Sequence, residues 1–195
     1  MSIFRIALAI GMAILLAASS VLPTSAALWY NPDTNQFEDR AATANRGGSP
    51  IRKQIVSYET THKPGTIVIE TSERRLYLVL EDGKAMKYGI GVGRDGFRWS
   101  GTHRITRKAE WPGWTPPPAM RKRVPDLPAY MPGGPDNPLG ARALYIGSTL
   151  YRVHGTSEPW SIGQAVSSGC IRLTNDDITD LYDRVQVGAL IVVKH

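Results

Sequence analysis

The sequence predicts a mainly β fold, a sandwich- or barrel-like assembly of strands with one helix, and three stretches of the chain lead to this prediction. Apolar residues alternate with polar ones along residues 66–80, which is typical of strands with one buried face. Two further short apolar runs, at 143–146 and 150–153, indicate two more strands. Residues 176–187 repeat apolar positions every three to four residues, as an amphipathic helix does.

The first 27 residues have the composition of a secretory signal peptide. A basic residue, Arg5, precedes an apolar run over residues 6–18, and small residues follow up to Ala26 and Ala27. The apolar run is near the short end of what spans a bilayer, so an uncleaved N-terminal anchor is the alternative. We expect export, with membrane contact only if this segment stays uncleaved.

Residues 28–64 are predicted to be a linker or N-terminal arm. The part from 28 to about 50 combines Asn, Asp, Gly, Pro and Ala without an apolar period. Residues 51–61 alternate better and indicate an edge strand before a Lys-Pro-Gly turn. The main domain is therefore predicted to cover residues 65–195.

The predicted sheet begins with a hairpin. Strands are expected at residues 66–70 and 75–80, and Asp82-Gly83 supplies the positive φ that a tight hairpin turn requires. Residues 84–92 then return as the partner strand. A further strand is expected at 103–108.

Residues 91–96 match the G-x-G-x-x-G pattern of dinucleotide-binding loops and follow a predicted strand. Such a site needs a helix directly after the last glycine, and the next residues, Phe-Arg-Trp-Ser-Gly, cannot readily supply one. We therefore predict a turn at this position.

Residues 111–140 form a long insertion that is rich in proline and glycine and contains Trp111 and Trp114. A segment of this length without regular structure inside a compact domain is usually a functional lid or binding loop. We therefore expect it to cover a site, with its aromatic residues either packing the lid or contacting substrate.

The predicted helix, residues 176–187, has a well-marked start. Thr174 or Asn175 can cap its first turn, and two aspartates there favour the positive end of the helix dipole. Gly188 is expected to end it. Its apolar face is formed by Ile178, Leu181, Tyr182 and Val185, and a closing strand follows at 190–194.

The chain is basic, with 23 Lys and Arg against 17 Asp and Glu and a formal net charge of +6. A basic exported protein can bind nucleic acid, anionic lipid or an acidic polymer. The basic residues are scattered apart from 121–123, and no nucleic-acid motif accompanies them. His62, His103 and His195 lack metal-ligand spacing, so we expect no metal site and no nucleic-acid partner.

Cys170 is the only cysteine of the chain, and a histidine, His154, precedes it by sixteen residues. In an exported protein a structural cysteine would have a disulfide partner, so this thiol is either buried and inert or reactive. Small residues before Cys170 let a substrate carbonyl approach, and an imidazole can take the thiol proton. We favour a nucleophile; for His154 a satisfied core histidine is the alternative.

The sequence around these two residues resembles the YkuD-type L,D-transpeptidases, cysteine enzymes that cross-link bacterial peptidoglycan. The resemblance covers about residues 65–195, and it implies a YkuD-like β fold, no cofactor and a periplasmic location. It is carried by His154-Gly155-Thr156, by Ser167-Ser168-Gly169-Cys170-Ile171-Arg172-Leu173, and by Asn175 and Asp177. The position of Ser168 is often a histidine or another basic residue in that family.

The resemblance implies an acyl-transfer reaction on peptidoglycan stem peptides. Cys170, deprotonated by His154, attacks the carbonyl of the third residue of a tetrapeptide stem and expels the terminal D-alanine. The thioester then passes to an amine of a second stem, which gives a 3→3 cross-link, or to a lysine of a wall-anchored lipoprotein, a free D-amino acid or water. The alternatives are a cysteine L,D-carboxypeptidase or peptidoglycan hydrolase and a non-catalytic wall-binding module.

The neighbouring residues have predicted roles around this pair. The resemblance implies that the Gly155 carbonyl orients the imidazole. Ser167, Ser168 and Gly169 are expected to shape an oxyanion hole through their backbone, with the amides of Gly169 and Cys170 as donors, although Ser167 can instead support the turn. Two other side chains complete the set: Thr156 with a supporting role, and Arg172, which either clamps a substrate carboxylate or pairs with Asp176 or Asp177.

Overall fold

The structure, a computed structural model, describes residues 28–31, 36–39 and 48–195. The predicted signal segment, residues 1–27, lies outside the described residues. The described strands are β1 (Leu28–Asn31), β2 (Gln36–Asp39), β3 (Gln54–Ser57), β4 (Ile67–Glu70), β5 (Arg75–Val79), β6 (Lys84–Gly89), β7 (Val92–Gly93), β8 (Gly101–Glu110), β9 (Arg142–Ile146), β10 (Arg152–His154), β11 (Ala165–Ser167), β12 (Ile171–Arg172) and β13 (Leu190–Lys194). The helices are α1 (Pro118–Arg123) and α2 (Asn175–Arg184), and a 3-10 turn spans Pro159–Ser161.

Nine strands form one mixed sheet with the order β12-β10-β9-β8-β13-β4-β5-β6-β3. The long strand β8 joins its two halves, because it pairs with β13 through residues 101–104 and with β9 through 105–110. Its register shifts between Ile105 and Arg107, where the partner changes. Such an irregularity bends a strand and increases its twist, so the two halves of the sheet can cover a common core.

The main core contains side chains from both halves of the sheet and from α2. Burying each of these aliphatic side chains contributes about 1.5–3 kcal/mol to folding. Examples are Ile67, Ile69 and Leu76 from one half, Leu144, Val153 and Ile171 from the other, and Ile178 and Leu181 from the helix. The predicted mainly β class is confirmed.

The predicted hairpin joins β5 to β6. Asp82 and Gly83 both have positive φ, 56° and 64°, as a two-residue hairpin turn requires. The edge strand expected within residues 51–61 is β3, which pairs with β6 at the end of the sheet. Within the segment predicted as a linker, β1 and β2 pair with each other.

The insertion 111–140 contains a helix that the sequence analysis missed. α1 begins at Pro118 and lies over a small apolar cluster of its own, formed by Trp114, Met120, Leu127 and Leu139. Proline at a first helical position is tolerated because its missing N–H has no partner there. Six residues are too few to show the apolar period by which α2 was predicted.

α2 begins as predicted and ends earlier than predicted. Thr174 caps it, and its hydroxyl accepts from the Asp177 amide at 3.1 Å. The helix ends at Arg184, because Val185 is extended (φ −92°, ψ 132°) and buries its side chain in the core. Gly188 is therefore not the residue that ends the helix. Lys108 Nζ donates to the carbonyls of Tyr182 and Val185 at its end. Within the described part of the chain, no helix is long and apolar enough to cross a membrane.

Candidate active site

His154 and Cys170 line the same cavity because two strands run parallel at one end of the sheet. β10 ends at His154, and β12 begins immediately after Cys170. In this pair His154 lies opposite Arg172, and the Leu173 amide donates to the His154 carbonyl at 2.9 Å. Both the imidazole and the thiol line a cavity of about 370 Å³. The parallel pairing therefore brings a histidine and a cysteine to one cavity.

His154 is buried, and its surroundings keep the imidazole neutral. Nδ1 lies 2.6 Å from the Gly155 carbonyl oxygen, which can only accept, so Nδ1 carries the ring proton. The pKa of His154 is lowered to about 3, mainly by burial and next by the positive charge of Arg172. At neutral pH, Nε2 is thus an unprotonated nitrogen that can accept the proton of a thiol.

Gly155 is needed for a close approach of three backbone segments. A Cβ at this position would lie 2.3 Å from Asn175 Oδ1. That oxygen accepts from the Ala141 amide at 2.9 Å and so ties the end of the insertion to the start of α2. The glycine lets β10 lie against both.

Ser167 holds the turn that carries Cys170. Its Oγ donates to the Cys170 carbonyl at 2.6 Å and accepts from the Gly169 amide at 3.2 Å. This is the supporting role that the sequence left open, and it engages the Gly169 amide that we predicted as an oxyanion donor. Ser168 lines the cavity next to the half-buried thiol, and its buried Oγ has no hydrogen-bond partner among the described residues.

The predicted turn at residues 91–96 is present, and it holds the cysteine loop on both sides. Before Cys170, β11 pairs in parallel with β7, and the Arg94 amide donates to the Ser167 carbonyl at 3.0 Å. After it, the amides and carbonyls of Gly91 and Arg172 exchange two hydrogen bonds of 2.9 Å. The glycine-rich segment is thus a turn that positions the loop carrying Cys170.

Trp99 also positions this loop, and the sequence analysis gave it no role. Its indole N–H donates to the Gly169 carbonyl at 2.7 Å. Its ring stacks on Tyr151, with centroids 4.6 Å apart. Gly169 has φ +107°, and a Cβ there would lie 2.4 Å from the Tyr151 ring. Seventy residues separate Trp99 from the loop, so no local pattern could have indicated the contact.

Arg172 pairs with a residue that the sequence analysis did not consider. Its Nη2 lies 2.9 Å from Glu158 Oε2 and 2.5 Å from Thr156 Oγ1, and all three residues are buried. Of the two alternatives for Arg172, the ion pair with Asp176 or Asp177 is replaced by one with Glu158. Thr156 has a supporting role, since its hydroxyl also accepts from the Glu158 amide.

The insertion supplies one wall of the cavity. Trp114, Met120 and Leu139 come from its apolar cluster, and Arg123 comes from the end of α1. Asn137 is buried and fastens the segment, because its amide donates to the Pro132 carbonyl and its oxygen accepts from the Leu139 amide, both at 2.9 Å. The wall is a packed unit with its own core.

The described residues contain no group of three or more His, Cys, Asp or Glu side chains that could hold a metal ion.

Comparisons with known proteins agree with this geometry. The family model of the L,D-transpeptidase catalytic domain matches residues 64–193. The probable L,D-transpeptidase ErfK/SrfK of Escherichia coli is 43% identical over 152 residues, which cover 73% of this chain and 47% of that protein. The chain spans about half the length of the first curated relatives it matches.

Two solved structures are similar as well. A Brucella melitensis protein, named a probable carnitine operon oxidoreductase, is 45% identical with a TM-score of 0.52, covering 72% of this chain and 91% of its own. L,D-transpeptidase 3 of Mycobacterium tuberculosis has a TM-score of 0.54 at 19% identity, covering 67% of this chain and 60% of its own, and so shares the fold. The family match and the relatives, together with the His154–Cys170 cavity, show that the chain belongs to the YkuD family of L,D-transpeptidase catalytic domains.

Proposed function

We propose that this protein is a peptidoglycan L,D-transpeptidase that acts through a cysteine acyl-enzyme, with Cys170 as nucleophile and His154 as general base. The observation that carries the proposal is the half-buried thiol beside a neutral, carbonyl-oriented imidazole at one cavity. Family membership supports the choice of stem peptides as substrates.

In the first step His154 Nε2 takes the Cys170 proton while the sulfur attacks the carbonyl carbon of the third stem residue. The negative charge that develops on the carbonyl oxygen requires donors. The Cys170 amide and the Ser168 hydroxyl are the groups we assign to this task, because the Gly169 amide already donates to Ser167. The C–N bond then breaks, the imidazolium protonates the leaving amine of D-alanine, and a thioester remains.

In the second step an amine takes the acyl group. The amine of a second stem attacks the thioester, the C–S bond breaks, and His154 relays the amine proton to the sulfur. We propose a stem amine as the acceptor, and therefore a 3→3 cross-link. A lipoprotein lysine, a free D-amino acid or water would use the same thioester.

We also propose that the reaction takes place in the periplasm. The signal-peptide pattern of residues 1–27 supports this location.

The test is mass spectrometry of purified muropeptides incubated with the protein, with and without an amine acceptor. We expect release of D-alanine, a covalent adduct on Cys170 and a cross-linked product that needs the acceptor. His154→Ala should lower acylation by about 10²–10⁴-fold, whereas His62→Ala, away from the cavity, should not. A free-acid product that is unchanged by the acceptor would indicate a hydrolase instead.

A thiol-labelling experiment tests the nucleophile separately. Iodoacetamide should label Cys170 in the native protein and abolish turnover. Labelling only after denaturation would contradict the assignment and would favour a non-catalytic wall-binding module.

A further inference from the structure

The cavity beside Cys170 is lined by three arginines and, among the described residues, by no aspartate or glutamate. The arginines differ in their surroundings. Arg172 is buried and already forms an ion pair with Glu158. Arg123 and Arg152 come from two different elements, the end of α1 and the start of β10.

Neither Arg123 nor Arg152 forms an ion pair within the described part of the chain. Arg152 donates from Nη1 to the Leu150 carbonyl at 3.2 Å and lies over the Tyr145 ring, while its buried Nε has no partner. Arg123 is exposed and lines the cavity, and its guanidinium has no hydrogen-bond partner among the described residues. By contrast Arg142, also half-buried, is paired with Glu110. Two unneutralised guanidinium groups at one apolar cavity mark a place for an anion.

We propose that Arg123 and Arg152 form a carboxylate subsite that selects donor peptides carrying a free carboxylate next to the bond attacked by Cys170. The inference rests on the proposed function and specifies the donor for that site. A planar guanidinium binds a carboxylate bidentately, which gives orientation as well as attraction. Because Arg123 belongs to the insertion, a bound carboxylate would also tie that segment to β10.

The subsite has a consequence for the base. Arg152 is among the positive charges that lower the pKa of His154. A carboxylate bound to Arg152 would offset that repulsion, so donor binding would favour proton uptake by the imidazole. The contact that selects the donor would then also assist the attack of Cys170 on that donor.

The test crosses enzyme variants with donor peptides. The variants are Arg123→Gln, Arg152→Gln and, as a matched control, Arg121→Gln, which removes an exposed charge from the same helix but not from the cavity lining. The donors are a tetrapeptide stem with free carboxylates, the same stem with its C-terminus amidated, and the same stem with the third residue's side-chain carboxylate amidated. Acylation of Cys170 is followed as kcat/KM by mass spectrometry.

We expect Arg123→Gln and Arg152→Gln each to lower kcat/KM for the free acid by about 10- to 100-fold, the range for a charge-assisted hydrogen bond. One of the two amidated donors should react slowly with the wild type, and the two substitutions should not lower its kcat/KM further. The carboxylate that this donor lacks is the one that the subsite binds. Equal losses for all three donors, or no loss for any, would overturn the proposal. Arg121→Gln should behave as the wild type.

Two further measurements keep the outcome interpretable. The iodoacetamide labelling rate of Cys170 should be unchanged in Arg123→Gln, an exposed substitution that is expected to fold even if Arg152→Gln does not. Calorimetry with Cys170→Ala, which has no thiol to acylate, measures the binding of the same donors without any reaction. It therefore tests the subsite separately from the proposed function. A free-acid preference that Arg123→Gln removes would support the subsite even if the wild type acylated no donor.

Discussion

At the scale of single residues, His154 shows how burial sets the protonation of a candidate base. His154 is the last residue of β10 and is buried. The Gly155 carbonyl fixes the ring proton on Nδ1. A histidine with an ordinary pKa would be partly protonated in mildly acidic conditions. Here the imidazole stays neutral over a wider pH range, and the same low pKa makes it a weaker base.

This environment predicts a pH dependence of stability. The folded-state pKa of His154 is about 3 and the unfolded value is about 6.5, so below pH 6.5 the unfolded chain takes up a proton that the folded chain excludes. The contribution of this group to the free energy of unfolding should therefore be complete above about pH 6.5. It should fall by about 1.4 kcal/mol per unit as the pH decreases towards 3. Urea denaturation between pH 4.5 and 7 should show a smaller slope for His154→Gln; identical slopes would contradict the assignment.

The buried pair of Arg172 and Glu158 gives a second prediction. Both side chains are almost fully buried, so Glu158→Gln leaves an uncompensated guanidinium and should cost about 3–5 kcal/mol of unfolding free energy. Glu110→Gln is the matched control, because Glu110 is 62% exposed in its pair with Arg142 and should cost at most about 1 kcal/mol. Chemical denaturation measures both. Similar small losses for the two variants would show that Arg172 finds another partner.

At the scale of elements, the segment from β7 to Trp99 and the cysteine loop form one unit. Backbone hydrogen bonds from Gly91 and Arg94 hold the loop on either side of Cys170, and the Trp99 indole holds the Gly169 carbonyl between them. The loop that carries Cys170, the proposed nucleophile, is therefore positioned by a turn that is distant in sequence.

Trp99→Phe tests this arrangement, since phenylalanine keeps an aromatic ring on Tyr151 and removes the N–H donor. Loss of one neutral hydrogen bond should cost about 1 kcal/mol of stability and up to about tenfold in the rate of Cys170 acylation. The iodoacetamide labelling rate should also change, because the thiol is repositioned. Trp111→Phe, a change at an exposed tryptophan outside the cavity lining, is the control. A stability loss with unchanged labelling and acylation would reduce Trp99 to a scaffold residue.

At the scale of the whole molecule, the structure has two apolar clusters of unequal size. The main one lies between the halves of the sheet and α2, and the smaller one lies within the insertion. A small cluster with few partners opens at lower free energy than the global core. We therefore expect the insertion to open locally without unfolding the domain.

Two leucine-to-alanine substitutions, one in each cluster, test whether the clusters unfold separately. Leu144→Ala, in the main core, should lower the free energy of unfolding by about 2–5 kcal/mol. Leu127→Ala, in the insertion, should lower global stability less, raise amide hydrogen exchange in residues 111–140, and slow acylation by the stem peptide but not alkylation by iodoacetamide. Equal effects of both truncations on global unfolding would show that the insertion is part of one cooperative core.

The sequence by itself determined the hairpin, α2 and the candidate pair of His154 and Cys170. Alternation predicted the strands of the hairpin, Asp82-Gly83 predicted its turn, and the period of Ile178 and Leu181 predicted α2. These features depend on neighbours within a few residues, so a local pattern carries them. The lone cysteine and the preceding histidine were found for the same reason, since their residue types and immediate flanks limit what chemistry they can do.

Only the tertiary structure decided what surrounds that pair. The partner of Arg172 proved to be Glu158, the anchor of the Gly169 carbonyl proved to be Trp99, and the insertion contained α1. A single charged or aromatic residue forms no repeating sequence pattern that would indicate its partner. The partners are set by how β10, β12 and the 91–94 turn pack together. The low pKa of His154 likewise comes from burial, which is a property of the assembled molecule and of no stretch of sequence.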